Sequence, residues 1–245
     1  MKIVILAGGR GTRGKPFTDY FPKAMIPIEG KPLIDHIIKY VSSFDFIKEI
    51  IVLADYNGLG NQIRRYFEDK KNIHGKKIKF IQDSNSGTGG DLSHLSAILK
   101  KERDFILWFD DNFCAIDLGK MYKFYKQKES IACVATRKYR KEETGYAKVK
   151  DDIITEFQEK PIISMLMVEC LGIYILNTKI LKIIKSKKER KNEVNLSFDV
   201  LQDLSKRKTV SAFDIGKALW IDIESPNKAE RNKVTVKEII RKMKN

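Results

Sequence analysis

Apolar runs alternate, through the first 140 residues, with segments in which apolar side chains recur every three to four positions. Short apolar runs are typical of buried strands, and a period near 3.6 residues is typical of helices that pack on one face. The runs predict strands near residues 2–7, 49–54, 78–82, 105–109 and 131–136. The periodic segments predict helices near residues 32–44, 59–71, 91–101 and 117–128. This alternation favours an α/β fold, a Rossmann-like, doubly wound and mostly parallel sheet flanked by helices.

The pattern changes after about residue 140. Residues 146–150 and 153–157 alternate on either side of Asp151-Asp152 and predict a hairpin, and residues 166–176 predict a further strand. The remaining expected elements are helices near 178–187 and 197–206, strands near 208–213 and 218–222, and a basic helix from about 226. We therefore expect a smaller, partly antiparallel lobe on the parallel core. Because no repeat or proline-rich linker divides the chain, residues 1–245 are read as one domain, with a core (1–140), a lobe (141–215) and a return to the core (216–245).

Composition places the chain among globular proteins and limits the classes of binding partner that we expect. With 42% apolar residues, 245 residues suffice for a substantial core. The 47 Lys and Arg against 32 Asp and Glu give a net charge of +15, which raises the question of nucleic-acid binding. The lysines are spread through helical segments, without an aromatic platform or zinc-finger spacing, so we expect no nucleic-acid partner and a basic surface that attracts anionic substrates. No apolar run approaches the ~20 residues of a membrane span, so no membrane partner is expected.

The three cysteines, Cys114, Cys133 and Cys170, are widely spaced and contain no C-x-x-C pair. They predict buried thiols in a reducing compartment rather than a zinc site or a disulfide framework. A core strand that starts at residue 2 leaves no room before it for a signal peptide. A cytoplasmic location is therefore the expectation.

The sequence L-A-G-G-R-G-T-R, residues 6–13, follows the first predicted strand, and F-P-K follows at 21–23. Three glycines within four residues let backbone N–H groups turn toward a bound anion. Arg13 and Lys23 add two positive charges near this loop. A tight turn after an edge strand is the plainer alternative, but the added cations favour polyphosphate binding.

The spacing of this loop excludes two common nucleotide motifs. It is not G-x-x-x-x-G-K-[ST], so it is not a P-loop. It imitates the dinucleotide fingerprint only loosely, because no helical pattern begins directly after the last glycine. Pro16 and Pro22 lead us to expect an extended loop over residues 14–24.

Taken together, L-A-G-G-R-G-T-R-x-x-P-x-T-x-x-x-P-K and the following M-I-P-I-E-G-K-P-L-I resemble the signature of the sugar-1-phosphate nucleotidyltransferases, the nucleoside-diphosphate-sugar pyrophosphorylases. The segment S-G-T-G-G-D-L at 86–92 is similar to the G-T-A-G-A-L segment that meets the base in that family. Gly14 stands where the family usually has an apolar residue, which we expect to loosen the loop. Asp91 replaces a small residue.

The resemblance implies a set of nucleotide contacts, with Gln82 and Gly87 at the base edge. Gln82 is compatible with a pyrimidine but leaves the base open among dTTP, UTP, CTP and GTP. The full set of expected nucleotide-binding residues is Leu6, Ala7, Gly8, Gly9, Gly11, Thr12, Gln82, Gly87, Thr88 and Asp110. From the residues alone, the 86–92 cluster brings backbone close to a ligand and then starts a helix that Thr88 or Asp91 caps, and a flexible loop between strand and helix is the less favoured alternative.

Asp110-Asp111-Asn112 ends a fully apolar predicted strand. Carboxylates at a strand end suit Mg²⁺, which takes one or two carboxylates plus phosphate oxygens and water, although a helix cap or a turn fits the pair equally well. The resemblance implies Asp111 as a metal ligand, Asn112 as a sugar contact and Asp222, in W-x-D, as the second metal ligand. Asp110 replaces a glycine of the family, and Glu224-Ser225 replaces Gly-Thr.

The sequence F-Q-E-K-P at 157–161 matches the family's F-x-E-K-P. By this resemblance Glu159 grips sugar hydroxyls, Lys160 holds the sugar phosphate, and Gly145 and Gly172 let the backbone approach the sugar. Leu171 lacks a polar sugar contact sometimes found in the family. A plain surface ion pair is the alternative for Glu159 and Lys160.

The implied reaction joins a nucleoside triphosphate and a sugar 1-phosphate, with a hexose such as glucose 1-phosphate as the expected acceptor, to give a nucleotide sugar and pyrophosphate. Arg13 and Lys23 are the expected catalytic residues and Mg²⁺ the expected cofactor. A catalytically weakened regulatory protein of this fold, a glycosyltransferase that uses nucleotide sugars, and a nucleotidyltransferase for a non-sugar acceptor remain alternatives. The oligomeric state stays open, with a homo-oligomer among the possibilities.

Overall fold

The computed structural model describes residues 1–9, 11–69, 72–73 and 75–244. Arg10 of the glycine loop and the last two positions of the helix expected at 59–71 therefore lie outside the described residues.

The described residues form fourteen strands, in chain order. They are β1 Lys2–Leu6, β2 Pro27–Ile28, β3 Lys31–Pro32, β4 Glu49–Ala54, β5 Asn72–Ile73, β6 Lys76–Gln82, β7 Asp104–Phe109, β8 Asn112–Cys114, β9 Ala132–Lys141, β10 Gly145–Lys150, β11 Ile153–Glu159, β12 Ile162–Asn177, β13 Val210–Asp214 and β14 Trp220–Asp222.

The α-helices follow in the same order. They are α1 Leu33–Ser42, α2 Asn61–Tyr66, α3 Gly87–His94, α4 Ser96–Leu99, α5 Leu118–Lys128, α6 Ile180–Lys188, α7 Gln202–Lys206, α8 Pro226–Arg231 and α9 Lys233–Lys244. A π-helical turn, Leu196–Leu201, leads into α7.

Within the described residues the main sheet has eight strands, in the order β13-β9-β12-β7-β1-β4-β6-β5. The central pairs are parallel, with β1 between β4 and β7 and with β6 beside β4. Strand β12 is antiparallel to both of its neighbours, β7 and β9, and β5 is antiparallel to β6. The prediction of a doubly wound, mostly parallel sheet flanked by helices is confirmed, with β12 inserted against the common direction.

Both faces of the central sheet are buried, which explains why its strands read as apolar runs rather than as alternating patterns. Along β1, Ile3 and Ile5 belong to one core cluster and Val4 and Leu6 to the other. The first cluster includes apolar side chains of α1, α5 and α9, and the second includes those of α3, α4 and α6. The expected C-terminal basic helix thus packs on the core through α9.

The hairpin β10–β11 forms a two-stranded sheet of its own, as the alternating pattern predicts. Its turn residues Asp151 and Asp152 have φ values of 49° and 61°. Two successive residues with positive φ match the twist of a tight hairpin. The antiparallel lobe is therefore present, whereas the division of the chain at residues 140 and 215 stays a prediction.

The loop after β1 differs from the extended segment expected at 14–24. It contains 3₁₀ turns at Thr12–Gly14, Phe17–Asp19 and Lys23–Met25. Each proline directly precedes one of the last two turns, a position where its restricted φ favours helical geometry as readily as extension.

Two other expectations are corrected. The helix expected at 91–101 begins four residues earlier, at Gly87, and breaks at Leu95 into α3 and α4. Cys114 and Cys133 are buried as expected, but Cys170 is exposed, because β12 extends beyond the core at that point. Across the described residues, no helix is both long enough and apolar enough to span a bilayer.

Candidate nucleotide and metal site

The loops that carry the candidate residues begin side by side at the carboxyl edge of the parallel strands. The backbone N–H of Ala7 donates to Leu53 O (2.8 Å), and the N–H of Asp110 donates to Leu6 O (3.1 Å). The N–H of Asp83 donates likewise to Ala54 O (3.0 Å). These bonds extend the sheet by one residue past each strand. The glycine loop, the 82–91 segment and the Asp110–Asn112 segment therefore meet at one edge, as expected for ligand binding in open α/β sheets.

A cavity of about 250 Å³ opens beside the glycine loop. The glycine loop forms one wall, and residues 55–60 and 18–23 form the others. Its lining residues are Ala7, Gly8, Gly9, Thr18, Phe21, Pro22, Lys23, Asp55, Leu59, Gly60 and Asn85. Lys23 thus links this cavity to the carboxylates that follow β7.

A second, two-stranded sheet brings Asp222 to Asp111. Strand β14 is antiparallel to β8 and places Asp222 opposite Asn112. The N–H of Ile223 donates to Asp111 O at 2.8 Å. The structure thus brings together the two carboxylates that the sequence suggested as a pair from distant parts of the chain.

Lys23 is the counter-charge of this carboxylate group. Its ammonium donates to Asp111 Oδ2 and lies 3.9 Å from Asp110 Oδ1, and only 12% of its side chain is exposed. Burial alone lowers the pKa of Lys23, but Asp110 and Asp111 outweigh it and raise the pKa above its usual value. Lys23 is therefore a fixed positive charge at neutral pH.

Two of the aspartates hold their protons more tightly than usual. Burial raises the pKa of Asp110 to about 7, opposed by Lys23 and reinforced by Asp111. Burial, followed by the charge of Asp111, also raises the pKa of Asp222, which Lys228 partly offsets. Carboxylates that repel each other in this way favour the binding of a further cation.

Asp222 supplies an observation that fits a metal ion. Its Oδ1 is buried and has no hydrogen-bond partner among the described residues, a state that costs free energy for a carboxylate oxygen. No group of three or more His, Cys, Asp or Glu side chains with metal-binding geometry occurs in the described part of the chain. Two carboxylates, completed by phosphate oxygens and water, are nevertheless a donor set that Mg²⁺ accepts. Asp111 and Asp222 thus fit Mg²⁺ only together with a bound phosphate.

Asn112 fixes the orientation of Asp111. Its Nδ2 donates to Asp111 Oδ1 (2.7 Å), and its Oδ1 accepts from Gly172 N (3.0 Å) and Trp220 Nε1 (2.9 Å). A Cβ atom at residue 172 would lie 2.2 Å from Asn112 Nδ2, so glycine is required there. The predicted sugar-side residues Asn112 and Gly172 are therefore in direct contact, next to the carboxylates.

Arg13 lies at the outer side of the same group. Its guanidinium forms an ion pair with Glu224 and lies 4.0 Å from Asp222, while 70% of its side chain remains exposed. Lys228 Nζ stands 3.5 Å from Glu224 and 3.9 Å from Asp222. The acidic residue 224, which departs from the resembled family, thus pairs with a predicted catalytic arginine.

The second glycine cluster contacts the chain itself. The N–H groups of Gly89 and Gly90 donate to Val194 O (2.8 and 3.1 Å), and a Cβ atom at Gly87 would lie 2.7 Å from that oxygen. Thr88 Oγ1 accepts from Leu196 N at 3.0 Å. Val194 thus takes up the N–H groups of Gly89 and Gly90, and the base-contacting roles of Gly87 and Thr88 stay predictions.

Asp91 does not cap the helix, and neither does Thr88, since α3 has no side-chain cap at its start. Asp91 Oδ1 accepts instead from Ser84 N (2.9 Å) and Ser84 Oγ (2.8 Å). Asp91 therefore ties the loop after β6 to the helix that follows it.

Gln82 is engaged within the protein. Its Oε1 accepts from Tyr56 N (2.8 Å), and its Nε2 donates to Asp55 Oδ1 (3.0 Å) and Asp83 Oδ1 (3.3 Å). Asp55 is not among the residues predicted from the sequence, although one signal for it was available. Asp55 directly follows the predicted strand 49–54, the position at which functional polar residues follow the neighbouring parallel strands.

The remaining sugar-side candidates lie on the hairpin. A Cβ atom at Gly145 would lie 3.0 Å from Glu159 Oε2, and Lys160 Nζ is 3.9 Å from Glu159 Oε1. Lys160 has a φ of 48°, an uncommon conformation for a residue with a side chain. Both charged side chains are exposed, and among the described residues neither forms an ion pair with the Asp111–Asp222 group.

Comparison with known proteins yields a family match. A model of the nucleotidyl transferase family matches residues 2–232. The chain is 30% identical over 206 residues to a UTP–glucose-1-phosphate uridylyltransferase from Synechocystis sp., covering 77% of this chain and 52% of that protein. It is 33% identical over 183 residues to a D-glycero-alpha-D-manno-heptose 1-phosphate guanylyltransferase from Campylobacter jejuni, covering 74% of this chain and 77% of that protein.

Among solved structures, a candidate glucose-1-phosphate thymidylyltransferase from Bacillus anthracis superposes with a TM-score of 0.75 at 20% identity, covering 97% of this chain and 96% of that one. This likeness supports the fold. The chain spans about half the length of the Synechocystis relative and about three quarters of the Campylobacter one.

Proposed function

The chain belongs to the nucleotidyl transferase family, and from this premise we propose that it transfers a nucleotidyl group from a nucleoside triphosphate to a sugar 1-phosphate. A phosphate oxygen of the sugar 1-phosphate attacks the α-phosphorus of the triphosphate. The bond from that phosphorus to the oxygen bridging the α- and β-phosphates breaks. A nucleotide sugar and pyrophosphate leave, so all atoms and charges are conserved. A hexose such as glucose 1-phosphate is the proposed acceptor.

The observation that carries this proposal is the meeting of Lys23, Asp111 and Asp222 beside the glycine-lined cavity. A triphosphate brings several negative charges to one place. The site holds cationic side chains that attract these charges and carboxylates that suit Mg²⁺. The attacking phosphate is already a competent nucleophile. The protein therefore needs only to position the substrates and neutralise charge, as in other phosphoryl transfers.

Two residues are proposed as catalytic. Lys23, buried and charged, would stabilise the charge that develops around the α-phosphate. Arg13, exposed beside Asp222, would turn to the departing pyrophosphate. The N–H groups of the glycine loop, which include those of Gly8 and Gly9 on the cavity wall, would hold the phosphates.

Asp111 and Asp222 would hold Mg²⁺, which supplies charge neutralisation at the phosphates when bound. Asn112 keeps the Asp111 carboxylate in one orientation through its bond to Oδ1. Lys23 balances part of the negative charge of this pair when no cation is bound.

On the sugar side, Glu159 would accept sugar hydroxyls and Lys160 would meet the sugar phosphate as a point charge. The hairpin that carries them lies on the second lobe, next to Gly145.

The decisive experiment measures pyrophosphate release by the purified protein from each of several triphosphates with each of several sugar 1-phosphates, with Mg²⁺ and with EDTA. We expect Mg²⁺-dependent release and an equimolar nucleotide sugar, identified by chromatography. Binding of triphosphate without release under all combinations would indicate a regulatory protein of this fold instead. Release only with a phosphorylated polyol or with phosphocholine would assign a non-sugar acceptor.

A further inference from the structure

The wall of the cavity beside the glycine loop carries two chemically different groups. One is Lys23, which touches the Asp111 carboxylate, where the α-phosphate would lie under the proposed function. The other is Asp55, Leu59 and Gly60, which follow β4. Because β4 lies between β1 and β6 in the sheet, Asp55 follows the strand between the glycine loop and the 82–91 segment, and a nucleotide with its phosphate at Lys23 and its chain along Gly8 and Gly9 would place its base toward Asp55. The side chains of Leu59 and Phe21 also line the cavity, are partly exposed and offer apolar contacts to a flat ring.

The part of this cavity where the nucleotide base would lie is acidic. Asp55 lines it directly, and Asp83 lies just behind Gly8, since a Cβ atom at residue 8 would be 2.3 Å from Asp83 Oδ2. Gln82 Nε2 donates to both carboxylates and holds them side by side. Residue 82 is therefore a positioning residue, and its amide faces other protein groups.

The Asp55 carboxylate is itself fixed by its surroundings. Its Oδ1 accepts from Gln82 Nε2 and from Asn57 N (3.2 Å), and its Oδ2 lies against Gly58, where a Cβ atom would be 2.6 Å away. The loop at 58–60 closes around it, because the N–H of Gly58 donates to Asp55 O at 3.3 Å. Asp55 thus presents a preorganised acceptor to the cavity.

A carboxylate accepts hydrogen bonds and donates none when ionised. Bases with an exocyclic amino group offer it a donor: N4 of cytosine, N6 of adenine, and N2 of guanine, which has the N1–H beside it. Uracil and thymine carry carbonyl oxygens at the corresponding positions, which repel a carboxylate, and their one ring donor on that edge, N3–H, lies between two such oxygens. The chemistry of the wall therefore discriminates between the two groups of bases.

We propose that Asp55, held by Gln82, reads the base and selects nucleoside triphosphates whose base carries an exocyclic amino group over uridine and thymidine triphosphates. This inference rests on the proposed function for the placement of the phosphates. It assigns the reading of the base to Asp55, where the sequence analysis had expected Gln82.

The test compares GTP, CTP, ATP, UTP and dTTP with wild type and with Asp55→Asn, measured as kcat/KM for pyrophosphate release and as the Kd of each triphosphate without acceptor. At least one amino-bearing triphosphate should exceed both UTP and dTTP by on the order of tenfold to a hundredfold, the range of one good base contact. Asp55→Asn should reduce that ratio or reverse it, because the new amide donates to O4 of uracil or thymine. The arms for GTP, CTP and ATP show which base is used.

Asp45→Asn is the matched control, since Asp45 is exposed and precedes β4 at the opposite end of the same strand. It should leave the ratio unchanged. Parallel measurements with dGTP and dCTP show whether Asp55 contacts the ribose instead of the base. If it does, Asp55→Asn changes the ratio of kcat/KM for the ribonucleotide to kcat/KM for the deoxyribonucleotide.

The inference is overturned if UTP or dTTP is preferred by the wild type, if Asp55→Asn leaves the base ratio unchanged, or if only the ribose ratio responds. Failure of the proposed function looks different, because it abolishes pyrophosphate release with every triphosphate. In that case the Kd series still decides the base preference.

Discussion

The backbone carbonyl oxygen of Glu224 lies 2.9 Å from the position that a Cβ atom of residue 14 would occupy. Gly14 is buried, and the same Cβ would also lie 2.6 Å from Thr18 Cγ2. Two of the departures from the resembled family, at 14 and 224, are thus in contact with each other. The missing side chain at 14 leaves room for residue 224, whose carboxylate then reaches Arg13. Gly14, which was expected to loosen the loop, is instead a close packing contact.

Replacing Gly14 by leucine should destabilise the fold, because the side chain meets backbone at Glu224 and has no flexible neighbour to displace there. Overpacking of this kind costs about 1–3 kcal/mol. Urea unfolding measures the loss. Gly9→Ala is the matched control in the same loop, since a Cβ at residue 9 meets no described atom within 4 Å outside its chain neighbours. Equal losses for both variants would contradict the packing argument.

Glu224→Gln should lower the KM for the triphosphate with little change in kcat. Arg13 pairs with Glu224 in the ligand-free protein, so an incoming polyphosphate must compete with that carboxylate. The pair is largely exposed on the arginine side and is worth at most about 1 kcal/mol, which limits the gain to about fivefold. Steady-state kinetics with Glu230→Gln, an exposed residue paired with Lys233, provide the control. A raised KM would show that Glu224 instead positions Arg13 productively.

Arg13→Ala should lower kcat by about 10²–10³, the range found when one charge-stabilising group is removed from a transition state. Because 70% of the Arg13 side chain is exposed, the fold should remain intact, as circular dichroism can verify. Lys15→Ala removes another exposed cation two residues away and should leave kcat unchanged. Near-wild-type turnover of Arg13→Ala would remove the residue from the catalytic assignment.

The mostly parallel sheet could be predicted from sequence because the alternation of its strands and helices is visible as a local pattern. Buried parallel strands such as β1 and β4 are apolar on both faces, and short crossover helices leave few alternatives for their arrangement. The position of β12 could not be predicted in this way. Its apolar run at 171–176 looks like that of the parallel strands, and only tertiary pairing with β7 and β9 reveals its direction.

The site could be predicted as far as residues stand directly after strands or match a familiar motif. Lys23, Asp111 and Asp222 were named in advance and do meet. Asp55 was missed because a single acid at the end of a strand carries no motif of its own. The ion pair between Arg13 and Glu224 could not be predicted either, because residue 224 attracts attention in the sequence only as a departure from the family pattern and not as a counter-charge.

Lys23→Met should destabilise the protein as well as inactivate it. Lys23 is the buried counter-charge of Asp110 and Asp111, and removal of one partner from a buried ion pair costs about 3 kcal/mol or more. Adding Asp110→Asn to Lys23→Met should recover part of the loss, because one of the uncompensated charges is then gone. Urea unfolding of the two single variants and the double variant measures this coupling. Strictly additive losses would show that Lys23 and Asp110 do not stabilise each other.

Asp83→Asn should stabilise the protein in a pH-dependent way. Burial, followed by the charges of Asp91 and Asp55, raises the pKa of Asp83 to about 6. The folded state therefore holds this proton more tightly than the unfolded chain, and ionisation of Asp83 removes stability as the pH rises from about 4 through 6. Asparagine keeps the Oδ1 that accepts from Gln82 but cannot ionise.

The difference in unfolding free energy between Asp83→Asn and wild type should thus be small near pH 4, grow through pH 6, and level off above pH 7. An amplitude of about 1–3 kcal/mol corresponds to a shift of this size. Urea unfolding from pH 4 to pH 8 measures the curve, with Asp45→Asn, which removes an exposed charge, as the baseline for the change in net charge. A difference that shrinks as the pH rises would mean that a cation stabilises the ionised Asp83, because only then would losing the carboxylate cost more at high pH than at low pH.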